Sequence, residues 1–229
     1  MHSVAAVIPA WNEAGNIGHV VAAIPPHVCD TIIVVDNAST DGTAEVAAAA
    51  GALVVSQPRR GYGHACAAGI AVALARGATI VVFLDGDFSD YPEEMPAVVG
   101  PILAGEADLV LGSRLAAGPL PPGTLPAHAV FGNRLIAAIL RARFGIAITD
   151  LGPFHAIRAA ALQRLDLREM TYGWTIEMII KAARDGERIV EVPVRYRARL
   201  SGESKVSGNL RASLRASWRI LRVTARYLR

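Results

Sequence analysis

An α/β domain with a mostly parallel central sheet flanked by helices is the fold class this sequence predicts, on three observations. Short β-branched apolar runs alternate with Ala-rich stretches of helical character. The strand-like runs are apolar throughout rather than at every second residue, the pattern of strands covered on both faces. Three of them lead directly into polar segments, and open α/β sheets place their ligands beyond the carboxyl ends of their strands.

In chain order, Val4 to Ile8 reads as a strand that leads into Pro9-Ala10-Trp11-Asn12-Glu13, followed by a helix over Ile17 to Ile24. Thr31 to Val35 is the second strand, running into Asp36-Asn37-Ala38-Ser39-Thr40-Asp41-Gly42, and Thr43 to Ala50 is helical. Leu53 to Val55, the helix His64 to Ala75 and the strand Thr79 to Leu84 come next, the last ending in Asp85-Gly86-Asp87. Met95 to Leu103 reads as helix and Leu109 to Leu111 as strand. Residues 115 to 127 are Gly/Pro-rich without a period, a candidate mobile flap. The second half is less regular: a helix from about Ala129 to Phe144, another from Thr175 to Arg184 and a strand-like run from Arg188 to Tyr196. From Asn209 onward Leu210, Leu214, Trp218, Leu221, Ala225 and Leu228 recur every three or four residues beside Arg211, Arg215, Arg219, Arg222, Arg226 and Arg229, the pattern of an amphipathic helix. The expected division is one domain over residues 1–208 and a basic helix over 209–229, packed on the domain or lying at a membrane surface.

Composition narrows the class. With 229 residues, 52% hydrophobic and 19% charged, the chain has the material for a large core and is not a disordered polymer. Its apolar runs fall far short of the ~20 residues that span a bilayer, and the opening Met1-His2-Ser3-Val4 leads into a strand rather than a signal peptide. Cys29 and Cys66 are the only cysteines and lack metal-ligand spacing, so a cytoplasmic setting is expected. Residues 195 to 229 hold ten Lys/Arg against Glu203 alone, a net +9, which leaves −6 on the first 194 residues. An acidic body with a basic tail suits peripheral contact with an anionic membrane face; base-reading and stacking motifs for nucleic acid are absent.

Asp85-Gly86-Asp87 is the strongest local signal. Hard divalent cations take oxygen ligands, and Mg²⁺ or Mn²⁺ bridging carboxylates to a diphosphate neutralises the charge of such a group. Gly86 lets backbone approach a ligand closely. Taken alone, the pair is equally a turn or helix-capping feature. Asp36, at the end of an earlier strand, adds a carboxylate able to accept hydrogen bonds from a base or ribose. Trp11 and Glu13 suit a nucleobase, which offers a flat face and donors, although Trp11 is also a plausible core residue. Asp41 and Ser39 read as helix-capping groups.

Together, Val7-Ile8-Pro9-Ala10-Trp11-Asn12-Glu13, Val34-Val35-Asp36-Asn37-Ala38-Ser39-Thr40-Asp41-Gly42-Thr43 and Phe83-Leu84-Asp85-Gly86-Asp87 resemble the three ordered motifs of family-2 glycosyltransferases of the GT-A, nucleotide-diphospho-sugar transferase fold. Similarity to the polyprenol-phosphate branch, which includes dolichol-phosphate mannose synthases, continues in Gly112-Ser113-Arg114, in residues 150 to 158 and in Arg199-Leu200-Ser201-Gly202-Glu203-Ser204-Lys205. The resemblance implies a nucleotide-sugar site at Pro9, Ala10, Trp11, Glu13, Asp36, Asp85, Gly86 and Asp87, with Mg²⁺ or Mn²⁺ at Asp85 and Asp87. It implies phosphate contacts at Arg114, Arg199, Ser204 and Lys205, for the donor diphosphate or an acceptor phosphate. The sequence departs from the branch at Asn37, where a second carboxylate is common, at Ser89, where a glutamine stands, and at Gly152-Pro153-Phe154-His155, in place of a Cys-Gly-Phe-Arg-like segment.

The expected activity is metal-dependent, inverting transfer of a hexose from a UDP-glucose- or GDP-mannose-type donor, with polyprenyl phosphate the leading acceptor and other hydroxyl or phosphate acceptors behind it. A hydroxyl acceptor needs a general base, whereas a phosphate is already ionised. Asp150 is the first candidate for base or acceptor positioning, and a capping carboxylate is its bland alternative. Glu177 is the second, because a carboxylate on an apolar helix face is costly unless used or paired. Two rivals are a nucleotide-sugar-binding module without turnover and a haloacid-dehalogenase-like phosphatase, whose Asp-x-Asp motif belongs after the first strand and here follows the fourth. No Gly-x-Gly-x-x-Gly turn follows the first strand, which disfavours a dehydrogenase.

Overall fold

The structure, a computed structural model, describes residues 2–202 and 210–227. Seven strands, β1 (Val4–Ala10), β2 (Thr31–Asp36), β3 (Leu53–Ser56), β4 (Ile80–Phe83), β5 (Leu109–Ser113), β6 (His155–Arg158) and β7 (Ile189–Pro193), form one sheet in the order β3-β2-β1-β4-β6-β5-β7. All neighbours are parallel except β6, which runs antiparallel to both β4 and β5.

Both faces are covered, as the continuous apolar strands predict. Val4, Ala6, Ile8 and Ala10 of β1 face α1 (Ile17–Ala23), α2 (Thr43–Ala49) and α4 (Met95–Leu103). The alternate residues Ala5 and Val7 face the layer made by α3 (Tyr62–Ala75), α5 (Ala127–Phe144), α6 (Ala159–Arg164), α7 (Trp174–Arg184) and α8 (Leu210–Tyr227). Strand pleating separates these two sets at a period of two. On β1 and β2, α3 sits close because of Gly69: a Cβ there would lie 2.4 Å from Val7 Cγ1 and 3.0 Å from Val35 Cγ2.

Two differences from the sequence-based expectation have physical reasons. The four-residue β6 and the six-residue α6 follow each other without a break, too short for either period to register. The run from Arg188 to Tyr196 yields a shorter strand: β7 ends at Pro193, which has no N–H for a ladder, and Tyr196 meets Asp90 in an isolated bridge instead.

The described part of α8 docks on α7 and α5 through buried Val223 and Thr224. Two charged contacts fix it: Arg219 Nη2 lies 3.0 Å from Glu169 Oε2, and Tyr227 Oη donates to Glu177 Oε1 at 2.6 Å.

His155 is fully buried in β6 and stacks on Phe83 with ring centroids 4.9 Å apart. Burial pushes its pKa down to about 4. The folded protein therefore holds this ring neutral while the unfolded chain protonates it near pH 6.5, so its contribution to stability is present above about 6.5 and is lost as the pH falls towards 4. The shift corresponds to a loss of about 3 kcal/mol across that window. A His155→Phe variant should lose less stability than the parent between pH 6.5 and 4, measured by urea unfolding at each pH.

Candidate active site

The sheet order sets β2, β1 and β4 side by side, with Ala10 opposite Asp36 and Val7 opposite Phe83. The three polar segments that follow these strands therefore open onto one crevice. Each holds a non-glycine residue in the left-handed region: Asn12 at φ 52°, Ala38 at 61° and Phe88 at 62°. Such backbone persists where surrounding bonds over-determine it, and here they do. Asn12 N donates to Ser39 Oγ at 3.0 Å and Asn12 Oδ1 accepts Thr40 N at 2.8 Å. Glu13 N donates to Thr43 Oγ1 at 2.9 Å and Ala14 N to Asp41 Oδ2 at 3.2 Å; the N-cap of α2 is Gly42, without a side-chain cap bond, and Ser39 and Asp41, expected to cap that helix, instead brace the β1 turn.

Of the nucleotide-site candidates, Ala10 is buried at the end of β1 with its carbonyl accepting Asn37 N at 2.8 Å, and Pro9, Trp11 and Asp36 are half-buried around it. Gly86 is buried, and a Cβ there would pack at 3.4 Å against Ala10, Ile17 and the Pro9 carbonyl. Asp85 and Asp87 flank it. Asp87 Oδ1 accepts Ser89 N at 3.0 Å and Ser89 Oγ at 2.5 Å, so the serine orients one carboxylate oxygen.

Asp90, which the sequence reading passed over, completes the cluster. It is 1% exposed, its Oδ2 accepts Asp85 N at 3.3 Å and its Oδ1 is buried without a hydrogen-bond partner. Burial, with Asp87 and Asp90 as like-charged neighbours, raises the Asp85 pKa well above the usual range. Burial and Asp87 push Asp90 up to about 7. Carboxylates crowded and desolvated in this way form an oxygen-only donor set, which suits a hard divalent cation. Among the described residues no group of three or more His, Cys, Asp or Glu side chains has metal-holding geometry, so diphosphate oxygens would have to complete the shell.

Positive charge enters from the far end of the chain. Arg199 Nη2 reaches Glu13 at 2.7 Å and its Nη1 stands 4.0 Å from Asp87 Oδ2. Ser201 N and Oγ donate to Asn16 Oδ1 at 3.0 and 2.9 Å, and Asn16 Nδ2 donates to Glu13 Oε2 at 2.6 Å. Arg197 Nε donates to the Phe88 carbonyl at 2.7 Å and Nη2 to the Asp90 carbonyl at 3.1 Å. Residues 197–201 thus strap the β1 and β4 turns together. Ser204 and Lys205 lie outside the described residues.

Arg114 follows β5 and belongs to a second feature, a cavity of about 170 Å³ lined by Tyr91, Arg114, residues 117–121, Arg195 and Tyr196. The 115–126 segment, irregular as expected, forms one wall, and the Tyr196–Asp90 bridge joins the cavity to the acidic cluster.

Both general-base candidates are buried carboxylates with several partners. Asp150 forms a buried pair with Arg114, Nε to Oδ2 at 2.6 Å and Nη2 to Oδ1 at 2.9 Å, and also accepts Asn133 Nδ2 at 2.5 Å. Its pKa stays low despite burial because the Arg114 charge and hydrogen bonds outweigh desolvation. A carboxylate so stabilised is a weak base, and its two bonds fix the guanidinium of Arg114. Glu177 is fully buried, and its oxygens accept Arg168 N at 3.0 Å, Glu169 N at 2.6 Å and Tyr227 Oη, with Lys181 Nζ at 2.9 Å. It is paired rather than used, joining α7, α8 and the 168–169 turn. His155, a departure within the acceptor-like segment, is a sheet residue.

What the sequence reading missed is long-range: Asp90 offered a signal, five residues after Asp85, but Asn16, Arg197 and Tyr196 reach the site only through the fold. Asp150→Asn should leave Arg114 without its counter-charge and cost on the order of 3 kcal/mol in urea unfolding. Loss of activity at unchanged stability would instead restore Asp150 as a base.

With this geometry in place, comparison with known proteins is direct. Residues 5–166 match the model of glycosyl transferase family 2. An uncharacterised glycosyltransferase of Mycobacterium tuberculosis is 38% identical over 96% of this chain and 98% of its own. The undecaprenyl-phosphate mannosyltransferase of Micrococcus luteus is 32% identical over 89% of this chain and 87% of its own. The crystal structure of glucosyl-3-phosphoglycerate synthase from Mycobacterium tuberculosis with Mn²⁺, UDP-glucose and phosphoglyceric acid superposes with a TM-score of 0.80 at 28% identity, covering 99% of this chain and 80% of that one. The crevice, the sheet that builds it and these relatives agree: the chain is a GT-A-fold glycosyltransferase and belongs to glycosyl transferase family 2.

Proposed function

We propose that the chain transfers a hexose, with inversion, from a UDP-glucose- or GDP-mannose-type donor to a polyprenyl phosphate. The observation that carries this reading is the juxtaposition of the Asp85/Asp87/Asp90 cluster with the Arg114- and Arg195-lined cavity across the Tyr196–Asp90 bridge. A metal-diphosphate and an anionic acceptor have neighbouring places there. Relatives with polyprenol-phosphate substrates in their names, and a neighbour crystallised with Mn²⁺ and UDP-glucose, support both halves.

In this mechanism Trp11 offers its face to the nucleobase and Asp36 accepts from the ribose or base. Asp85 and Asp87 would hold Mg²⁺ or Mn²⁺, whose positive charge would offset that of the departing nucleoside diphosphate. Arg199 moves its charge from Glu13 and Asp87 towards the diphosphate, and Ser204 and Lys205, which follow it in sequence, are read as further phosphate contacts. Arg114, oriented by Asp150 through Nε and Nη2, keeps Nη1 for an acceptor phosphate. An ionised phosphate attacks the anomeric carbon without a general base, which fits the commitment of Asp150 and Glu177 to other partners. A small phosphorylated acid is the second reading of the acceptor, favoured by the cavity's size.

A lipid acceptor calls for a membrane contact, and exposed apolar residues of α5 and α8 support such a reading. Trp218 and Phe131 are each 69% exposed, with Leu135 and Leu221 also exposed beside Arg222 and Arg226. Among the described residues no helix is long and apolar enough to cross a membrane. Apolar anchors ringed by arginines suit peripheral binding at an anionic, cytoplasmic face, with residues 1–208 as the catalytic domain and 209–229 as its basic helix.

Transfer should require Mg²⁺ or Mn²⁺ and fall at least 100-fold in Asp87→Asn at unchanged fold, read by mass spectrometry of polyprenyl phosphate and phosphoglycerate reactions. Binding of nucleotide sugar with no transfer to either acceptor would favour a non-catalytic module. Trp218→Ser together with Phe131→Ser should lower co-sedimentation with anionic vesicles severalfold; unchanged sedimentation rejects that surface.

A further inference from the structure

One wall of the crevice is formed by residues 57 to 61, Gln57-Pro58-Arg59-Arg60-Gly61, which carry two arginines and no carboxylate. Asn37, at the end of β2 and 6% exposed, holds this loop. Its Nδ2 donates to the Gln57 carbonyl at 2.9 Å and the Arg59 carbonyl at 2.8 Å, while its Oδ1 accepts Gly61 N at 2.8 Å. The three bonds demand a side chain that both donates and accepts. An aspartate would set a carboxylate against two carbonyl oxygens, so the departure at position 37 has a structural purpose. The far end of the loop is pinned as well: Gly61 has φ +143°, and a Cβ there would lie 2.5 Å from the Met170 carbonyl oxygen.

The clamped loop sets Arg60 directly on the donor site. Its Cζ lies 3.3 Å from the centroid of the Trp11 ring, too close for anything to fit between them. Arg60 is exposed, whereas Trp11 is half-buried beside Asp36 and Glu13. A guanidinium on an exposed aromatic face is weakly held. Forked, charge-assisted bonds to a phosphate are stronger.

We infer that Arg60 is a donor-binding residue whose guanidinium yields the Trp11 face to the nucleobase and pairs with the diphosphate, and that Asn37 is the positioning residue for its loop. The inference rests on the proposed nucleoside diphosphate donor and adds a cation to the one Arg199 brings. Acidic walls at Glu13, Asp36, Asp85 and Asp87 would otherwise repel the diphosphate before a metal ion enters. Arg59, in the same loop, supplies an equal charge that does not stack on Trp11 and so serves as the control.

The test is calorimetric titration of the full chain with UDP, GDP and their nucleosides in the presence of Mn²⁺. Arg60→Ala should weaken the preferred diphosphate at least ten-fold and its nucleoside less than two-fold, with Arg60→Lys in between and Arg59→Ala near the parent. Asn37→Asp should match Arg60→Ala, and the double variant should be no weaker than either single one, a non-additivity that mere loss of fold would not give. Diphosphate affinity within two-fold of the parent in Arg60→Ala, or an equal loss in Arg59→Ala, overturns the role of Arg60. Additive losses overturn that of Asn37. Failure of the parent to bind either diphosphate is a different result, because it removes the donor reading itself.

Discussion

Repulsion among carboxylates gathered at the ends of three adjacent parallel strands is the constraint on which the rest of the structure turns. Glu13 comes from the β1 turn, Asp36 from β2, and Asp85, Asp87 and Asp90 from the β4 turn. Desolvation makes each charge more expensive and each neighbour more costly still. The fold answers locally with Arg199 on Glu13 and Asp87, and with Arg197 on the carbonyls of Phe88 and Asp90. The raised pKa values of Asp85 and Asp90 show that this answer is incomplete.

The same constraint explains why the C-terminal third returns to the first strand. Residues 197–201 bind the β1 and β4 turns across almost the whole length of the sequence. Arg197 and Arg199, at the start of the basic end, thus meet the acidic turns of the body. Arg114 repeats the logic at the neighbouring cavity, where Asp150 pairs with a buried guanidinium.

Elsewhere buried charge serves architecture. Glu177 ties α7 to the 168–169 turn and to Tyr227 of α8, and Glu169 reaches Arg219 on the same helix. These contacts hold α8 by one side, and Trp218 and Leu221 of α8, like Phe131 and Leu135 of α5, stay exposed. Placement of an apolar, arginine-flanked surface thus depends on polar bonds beneath it.

The sequence by itself determined the parallel half of the sheet and the three motifs, because continuous apolar strands and the polar turns that follow them are local patterns. Asp85, Asp87, Asp36 and Trp11 were legible for that reason. Tertiary structure alone decided which carboxylates are available and which are spent. Glu177 and Asp150 looked alike as candidate bases, yet each is satisfied by groups distant in sequence, such as Tyr227 and Arg114. It likewise decided that Asn37, apparently a lost carboxylate, closes a loop through donors a carboxylate lacks, and that β6 runs antiparallel between β4 and β5. Strand period and turn chemistry act over a few residues, whereas charge pairing and hydrogen-bond satisfaction are settled by whatever the fold brings within about 3 Å.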